Sequence, residues 1–91
     1  MDMTLETIRL IADQEHAKYP QYQNHWDGWK LCVVTKKVKT KMGNAFYAGE
    51  IAMYNPNDIR THEHGTFYTV YSVNNKCDTS VKAKDIKVLP N

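Results

Sequence analysis

Apolar positions near the start of the chain recur at helical spacing. Leu5, Ile8, Ala12 and Tyr19 fall on one side of a helix, with Ile11 at the edge of that stripe. The spacing predicts a helix over residues 4–18. Thr4 stands where an N-cap is needed, and Glu6 lies where the helix dipole favours an anion. Pro20 pushes Tyr19 out of helical geometry and stops the helix there. An isolated helix of about 15 residues is marginal in water, so the apolar stripe is expected to pack on the rest of the chain.

From Leu31 onward the period changes to two. Residues 31–42 read as a first long strand, with Val38, Thr40 and Met42 on one side and Lys37, Lys39 and Lys41 on the other. Gly43-Asn44 reads as a turn, and residues 46–54 as a second strand in which Gly49 marks a bulge or sharp bend. Asn55-Pro56-Asn57-Asp58 is expected to break the sheet, with a polar loop running on through His62-Glu63-His64-Gly65. A third strand follows over 66–73, a tight hairpin at Asn74-Asn75 and a fourth strand over 77–83. A single turn at Lys84-Asp85 precedes a short last strand over 86–89. The expected fold is α+β, an N-terminal helix packed on a five-stranded antiparallel barrel. Residues 1–30 form the helix and an aromatic-rich connection, and residues 31–91 form the barrel of one compact domain.

Composition adds exclusions. The 91 residues are 42% hydrophobic and 24% charged, ordinary for a folded globule and unlike a disordered tail. Apolar runs such as Leu31-Cys32-Val33-Val34 fall far below the roughly 20 residues of a membrane span. The N-terminus opens acidic, without the apolar core of a secretory signal, so a cytoplasmic protein without membrane contact is expected. The two cysteines, Cys32 and Cys77, are then expected as reduced thiols. Charge is divided unevenly. Residues 1–29 carry two basic and five acidic side chains, and residues 30–91 carry ten basic and five acidic ones. An acidic helix thus accompanies a basic barrel, which permits binding to nucleic acid; a solvated lysine-rich face gives the same balance.

The stretch Thr79-Ser80-Val81-Lys82-Ala83-Lys84-Asp85-Ile86-Lys87-Val88-Leu89 resembles the closing segment of SH3-like barrels, where a valine-bearing strand, one 3₁₀ turn and a short strand end the domain. Phe46-Tyr47-Ala48-Gly49-Glu50-Ile51 is similar to the second strand of SH3-like, KOW-like and Tudor-like folds. The resemblance spans residues 31–89 and is a layout of strands and turns. The chain has no Ala-Leu-Tyr-Asp-Tyr-type segment and no tandem tryptophans at the matching strand start, so proline-rich peptide binding does not carry over. It also lacks the four clustered aromatics of a methyl-lysine cage. What remains similar is a class of small accessory proteins of bacteriophages and mobile elements that act as inhibitors or adaptors.

Candidate sites are few. Trp26 and Trp29 flank the Asp27-Gly28 turn; they either cover the open end of a small core or, with Tyr47 and Tyr54, form aromatic anchors for a protein partner. Lys37, Lys39 and Lys41 would stand about 6–7 Å apart on one strand face, comparable with phosphate spacing along a nucleic-acid strand. Lys82 and Lys84 would add charge, and Tyr47, Tyr54 and Tyr68 stacking surfaces. Lysines also blunt sheet edges and keep small barrels soluble. His62 and His64 would offer a metal two imidazoles, and two ligands do not make a site. Cys32, His25 and Asp27 supply the residue types of a nucleophilic triad, but a thiol inside an apolar strand is inert. No cofactor is implied. The expected function is a non-enzymatic binding protein that docks on a larger protein target, a host nucleoprotein being one candidate, as inhibitor or adaptor. The alternative is a small barrel that binds nucleic acid through its lysine-rich strand.

Overall fold

The computed structural model describes residues 4–22, 25–40 and 43–90. Helix α1 (Leu5–Glu15) leads through a 3₁₀ turn (Pro20–Tyr22) to strand β1 (Lys30–Val34). There follow β2 (Val38–Thr40), β3 (Gly43–Phe46), β4 (Glu50–His62), β5 (Gly65–Ser72), β6 (Cys77–Lys82), a second 3₁₀ turn (Ala83–Asp85) and β7 (Ile86–Val88). Five strands make one antiparallel sheet in the order β6-β5-β4-β1-β7, and β2 and β3 pair as a separate two-stranded ribbon. The fold is α+β. No helix among the described residues is long and apolar enough to cross a membrane.

Thr4 caps α1 in an extended conformation, its hydroxyl accepting a hydrogen bond from the Thr7 N–H at 3.2 Å. Ile8 and Ala12 are fully buried and Leu5 packs beside them. Regular helix ends at Glu15, earlier than the proline requires. The His16 imidazole Nδ1–H donates to the Ala12 carbonyl at 2.9 Å, and the chain unwinds through a turn. Tyr19 consequently leaves the helical stripe and is exposed.

The centre of the sheet is buried on both faces. On one, Cys32, Val34, Ala52, Tyr54, Val70 and Val81 pack with Ala45 and Phe46 of the β2–β3 ribbon. On the other, Met53 and Tyr71 pack with Ile8 and Ala12 of α1 and with Trp26 and Trp29. Strands covered twice read as continuous apolar runs, which is what Leu31-Cys32-Val33-Val34 and Ile51-Ala52-Met53-Tyr54 are. Arg9 fastens the helix side, its Nη2 donating to the Trp29 carbonyl at 2.7 Å.

Three expectations change. The long first strand is two strands, because beyond Val34 the backbone turns away. Thr35 N–H donates to the Asp85 carbonyl at 2.7 Å, and Gly49 N–H to the Val34 carbonyl at 2.8 Å. Gly49 itself is at φ +84, in the left-handed region that glycine tolerates, and makes the sharp bend between β3 and β4. Gly43 opens β3 opposite Thr40 instead of forming a turn. Finally, Asn55–Asp58 do not end the sheet. Register passes from Tyr54↔Val70 to Ile59↔Tyr68, so four residues of β4 bulge out opposite Thr69 and the strand continues to His62. The expected polar loop shrinks to a two-residue turn at Glu63-His64 closed by the His62–Gly65 pair.

Candidate nucleic-acid interface

The aromatic candidates divide by burial. Trp26 and Trp29 are 3% and 2% exposed, meeting edge to face with ring centroids 4.8 Å apart, and Trp26 packs on Tyr71 at 4.9 Å. Both indoles line the core beneath α1, and neither presents a surface to a partner. Tyr54 is buried as well, packed beside Tyr68 at 5.3 Å. Tyr47 is the exposed member, in the connection after β3.

The lysines divide by geometry. Lys37 lies in the connection before β2, outside the strand that carries Lys39, and the β2–β3 register shift leaves Ala45 of β3 as the extra residue. Lys37 and Lys39 are both exposed. Lys41 lies outside the described residues. Lys82 ends β6 and Lys84 sits in the second 3₁₀ turn, both exposed. Lys36 joins this turn from the other side, its Nζ 3.9 Å from Asp85 Oδ1.

Strand register assembles a further set of side chains. Arg60 pairs with Phe67 and Phe67 with Lys82, across β4, β5 and β6. Directly opposed residues project to the same face of an antiparallel sheet, so a half-buried ring stands between two cations. His62, two residues beyond Arg60, lays its imidazole on Phe67 at 4.9 Å and an interplanar angle of 9°. Arg60 is partly neutralised, with its Nε 3.1 Å from Asp58 Oδ1. Beyond the Phe67–Lys82 pair the β5–β6 ladder ends, because the chain coils into the 3₁₀ turn. That departure opens a shallow groove of about 240 Å³ lined by His64, Gly65, Thr66, Lys82, Ala83 and Lys84. A Cβ added at Gly65 would meet open space. The groove is smaller than a drug-sized ligand pocket and two lysines and a histidine line it; such a lining suits a phosphate-sized anion.

Arg60, Phe67 and Thr66 were not singled out by sequence reasoning. The signal was present in His62-Glu63-His64-Gly65: reading it as a tight hairpin fixes His62 opposite Gly65 and hence Arg60 opposite Phe67. His62, which closes this turn, and His64, within it, have ring centroids 5.8 Å apart. Among the described residues no group of three or more His, Cys, Asp or Glu side chains stands where it could hold a metal ion. Cys32 is buried in the cluster on the ribbon side, whereas His25 packs edge to face with Trp26 on the helix side. Burial pushes the Cys32 thiol up to about 12, far from a nucleophile's range.

Comparison with protein-family models finds no match, and the searches of curated proteins and of solved structures find no similar chain. The class is therefore defined by architecture alone: a small α+β domain, an antiparallel five-stranded sheet with one helix and a two-stranded ribbon.

Proposed function

We propose that this chain is a non-enzymatic, SH3-like binding module that holds single-stranded nucleic acid on the face around the β4–β5 turn and the second 3₁₀ turn. The fold reading is supported by five strands in one sheet, a hairpin with a four-residue turn before β6 and a one-turn 3₁₀ break just before the last strand, a layout that resembles SH3-like barrels. One observation carries the functional reading. The tryptophans that would anchor a protein partner are spent on the core, while Lys82 and Lys84 line an exposed groove beside the His62–Phe67 ring pair. Exposed cations track a phosphate backbone, and exposed rings accept unstacked bases.

The test is fluorescence anisotropy with labelled single- and double-stranded oligonucleotides at about 50 and 200 mM salt. Binding to single strands that collapses with salt is the expected result. The variant Lys82→Gln/Lys84→Gln should lose more affinity than Lys37→Gln/Lys39→Gln, although each removes the same charge. Absence of binding at low salt would reject this function.

A second reading, a protein-docking inhibitor or adaptor, is favoured by the outer face of α1. Leu10 is 56% exposed there, on a helix face that also presents the exposed acids Glu6 and Asp13. Such a face suits a basic, partly apolar groove on a larger protein, including one that holds nucleic acid. Capture of a protein target that survives high salt and is lost in Leu10→Ala would support it.

A further inference from the structure

We propose that His62, Phe67, Lys82 and Lys84 together form a subsite for one nucleotide of a single strand, with the base on the outer face of His62 and its phosphate in the groove beside it. The proposal rests on the nucleic-acid reading above and gives it a location and a stoichiometry. Three features of the fold converge on it.

The first is a ring with a support behind it. The His62 imidazole is exposed and lies nearly parallel to Phe67, at an interplanar angle of 9°. Phe67 is half-buried in the sheet and flanked by its register partners Arg60 and Lys82. A platform held from behind loses little side-chain freedom when a base stacks on it, and stacking is indifferent to base identity. The second is charge placed next to that platform. Lys82 belongs both to the Phe67 row and to the groove wall, so ring and phosphate positions share a residue. Lys84 closes the groove from the 3₁₀ turn. The third is the local charge balance. Asp58 is engaged by Arg60 and by the Thr69 hydroxyl, and Glu63 lies 3.5 Å from His64 Nε2. Asp58 beside the face is therefore held by partners of its own, whereas Lys82 and Lys84 face the groove.

A duplex is not the expected occupant, because its bases are stacked inside and leave no π face for His62. The geometry therefore selects unpaired DNA or RNA and predicts no strong sequence preference.

The experiment compares a labelled oligothymidylate of about ten nucleotides with an abasic oligonucleotide of the same length and charge. The full chain should prefer the oligothymidylate by at least about five-fold, since stacking contributes about 1–3 kcal/mol per base. His62→Ala should abolish that preference while leaving the salt slope unchanged. Lys82→Gln/Lys84→Gln should reduce the salt slope by about 0.7, the contribution of the one phosphate no longer neutralised, and keep the preference. Equal, salt-sensitive binding of both oligonucleotides by the unmodified protein would overturn the subsite and leave the broader reading standing. No binding of either would overturn both. The abasic comparison needs no variant, so a folding defect in one of the mutants does not shield the proposal.

Discussion

The Thr69 hydroxyl donates to Asp58 Oδ2 at 2.8 Å, and this bond fastens the β4 bulge to the strand beside it. Asn55, Pro56, Asn57 and Asp58 stand opposite Thr69 alone. Pro56 has no N–H to offer a ladder, and Asn57 N–H turns back to the Asn55 side chain at 2.9 Å. The hydrogen bond from Thr69 and a second from Arg60 hold the Asp58 carboxyl below its usual value. A carboxyl whose folded value is depressed stabilises the fold fully above its unfolded value. That contribution is lost as pH falls through the lower, folded value. Thr69→Val should therefore move the Asp58 titration, followed by carboxyl NMR, upward toward the usual range. An unchanged titration would mean that the bond does not persist in solution.

The burial of Trp26 and Trp29 makes a stability prediction that separates a core role from a docking role. Trp26→Ala should destabilise the protein by about 3–5 kcal/mol in urea unfolding, because a large ring is removed from a packed cluster. Tyr47→Ala, at a residue 54% exposed, should change stability by no more than about 0.5 kcal/mol. A Trp26→Ala protein as stable as the parent would place that indole at the surface and restore it as a partner anchor.

The two thiols should behave as chemically different groups. Cys77 is exposed on the edge strand β6, whereas Cys32 is buried among Val34, Ala52 and Val70. A thiolate reagent near pH 8 should modify one sulfur of the native protein quickly and the second only on unfolding, and Cys77→Ser should remove the fast phase. Desolvation raises the Cys32 thiol from 9.0 to about 12, so the folded state keeps a proton that the unfolded chain releases. The corresponding stability is complete below 9.0 and is lost as pH rises toward 12. Two fast thiols in the native protein would contradict the packing of β1.

Local chemistry made much of the fold legible. Thr4 as cap, Gly49 as bend and the one-turn break before the last strand are set by the conformational preferences of one or two residues, and each appears in the structure. The apolar residues from Leu31 and around Ile51 signalled strands, but their reading as a period-two pattern did not anticipate cover on both faces. Other features depend on pairing between distant segments. Asn-Pro-Asn-Asp is a strong breaker in isolation, and only the partner Thr69 turns it into a bulge inside a continuing strand. The lysine stripe presupposed a strand running unbroken from Leu31, but the chain leaves β1 at Thr35, whose N–H turns to the Asp85 carbonyl, and Lys37 falls in the connection before β2. The Arg60–Phe67–Lys82 row joins three strands and becomes visible only once two hairpin registers are known.

Helix α1 offers a last comparison between neighbouring positions. Ile8 is fully buried against Met53, Tyr71 and the tryptophans, and Leu10, two residues on, points to solvent at 56% exposure. Residues two apart on a helix do not face each other, so the two leucine-sized side chains report on separate surfaces. Ile8→Ala should cost about 2–5 kcal/mol, because the cavity it leaves lies between rigid rings and cannot collapse fully. Leu10→Ala should change stability by no more than about 0.5 kcal/mol, since most of its side chain already meets water. Urea titration of both variants, followed by tryptophan fluorescence, reads the difference directly, since Trp26 lies in the same cluster as Ile8. If Leu10→Ala were instead the costlier change, α1 would be docked on its opposite face, and the acidic surface assigned to a protein partner would be turned inward.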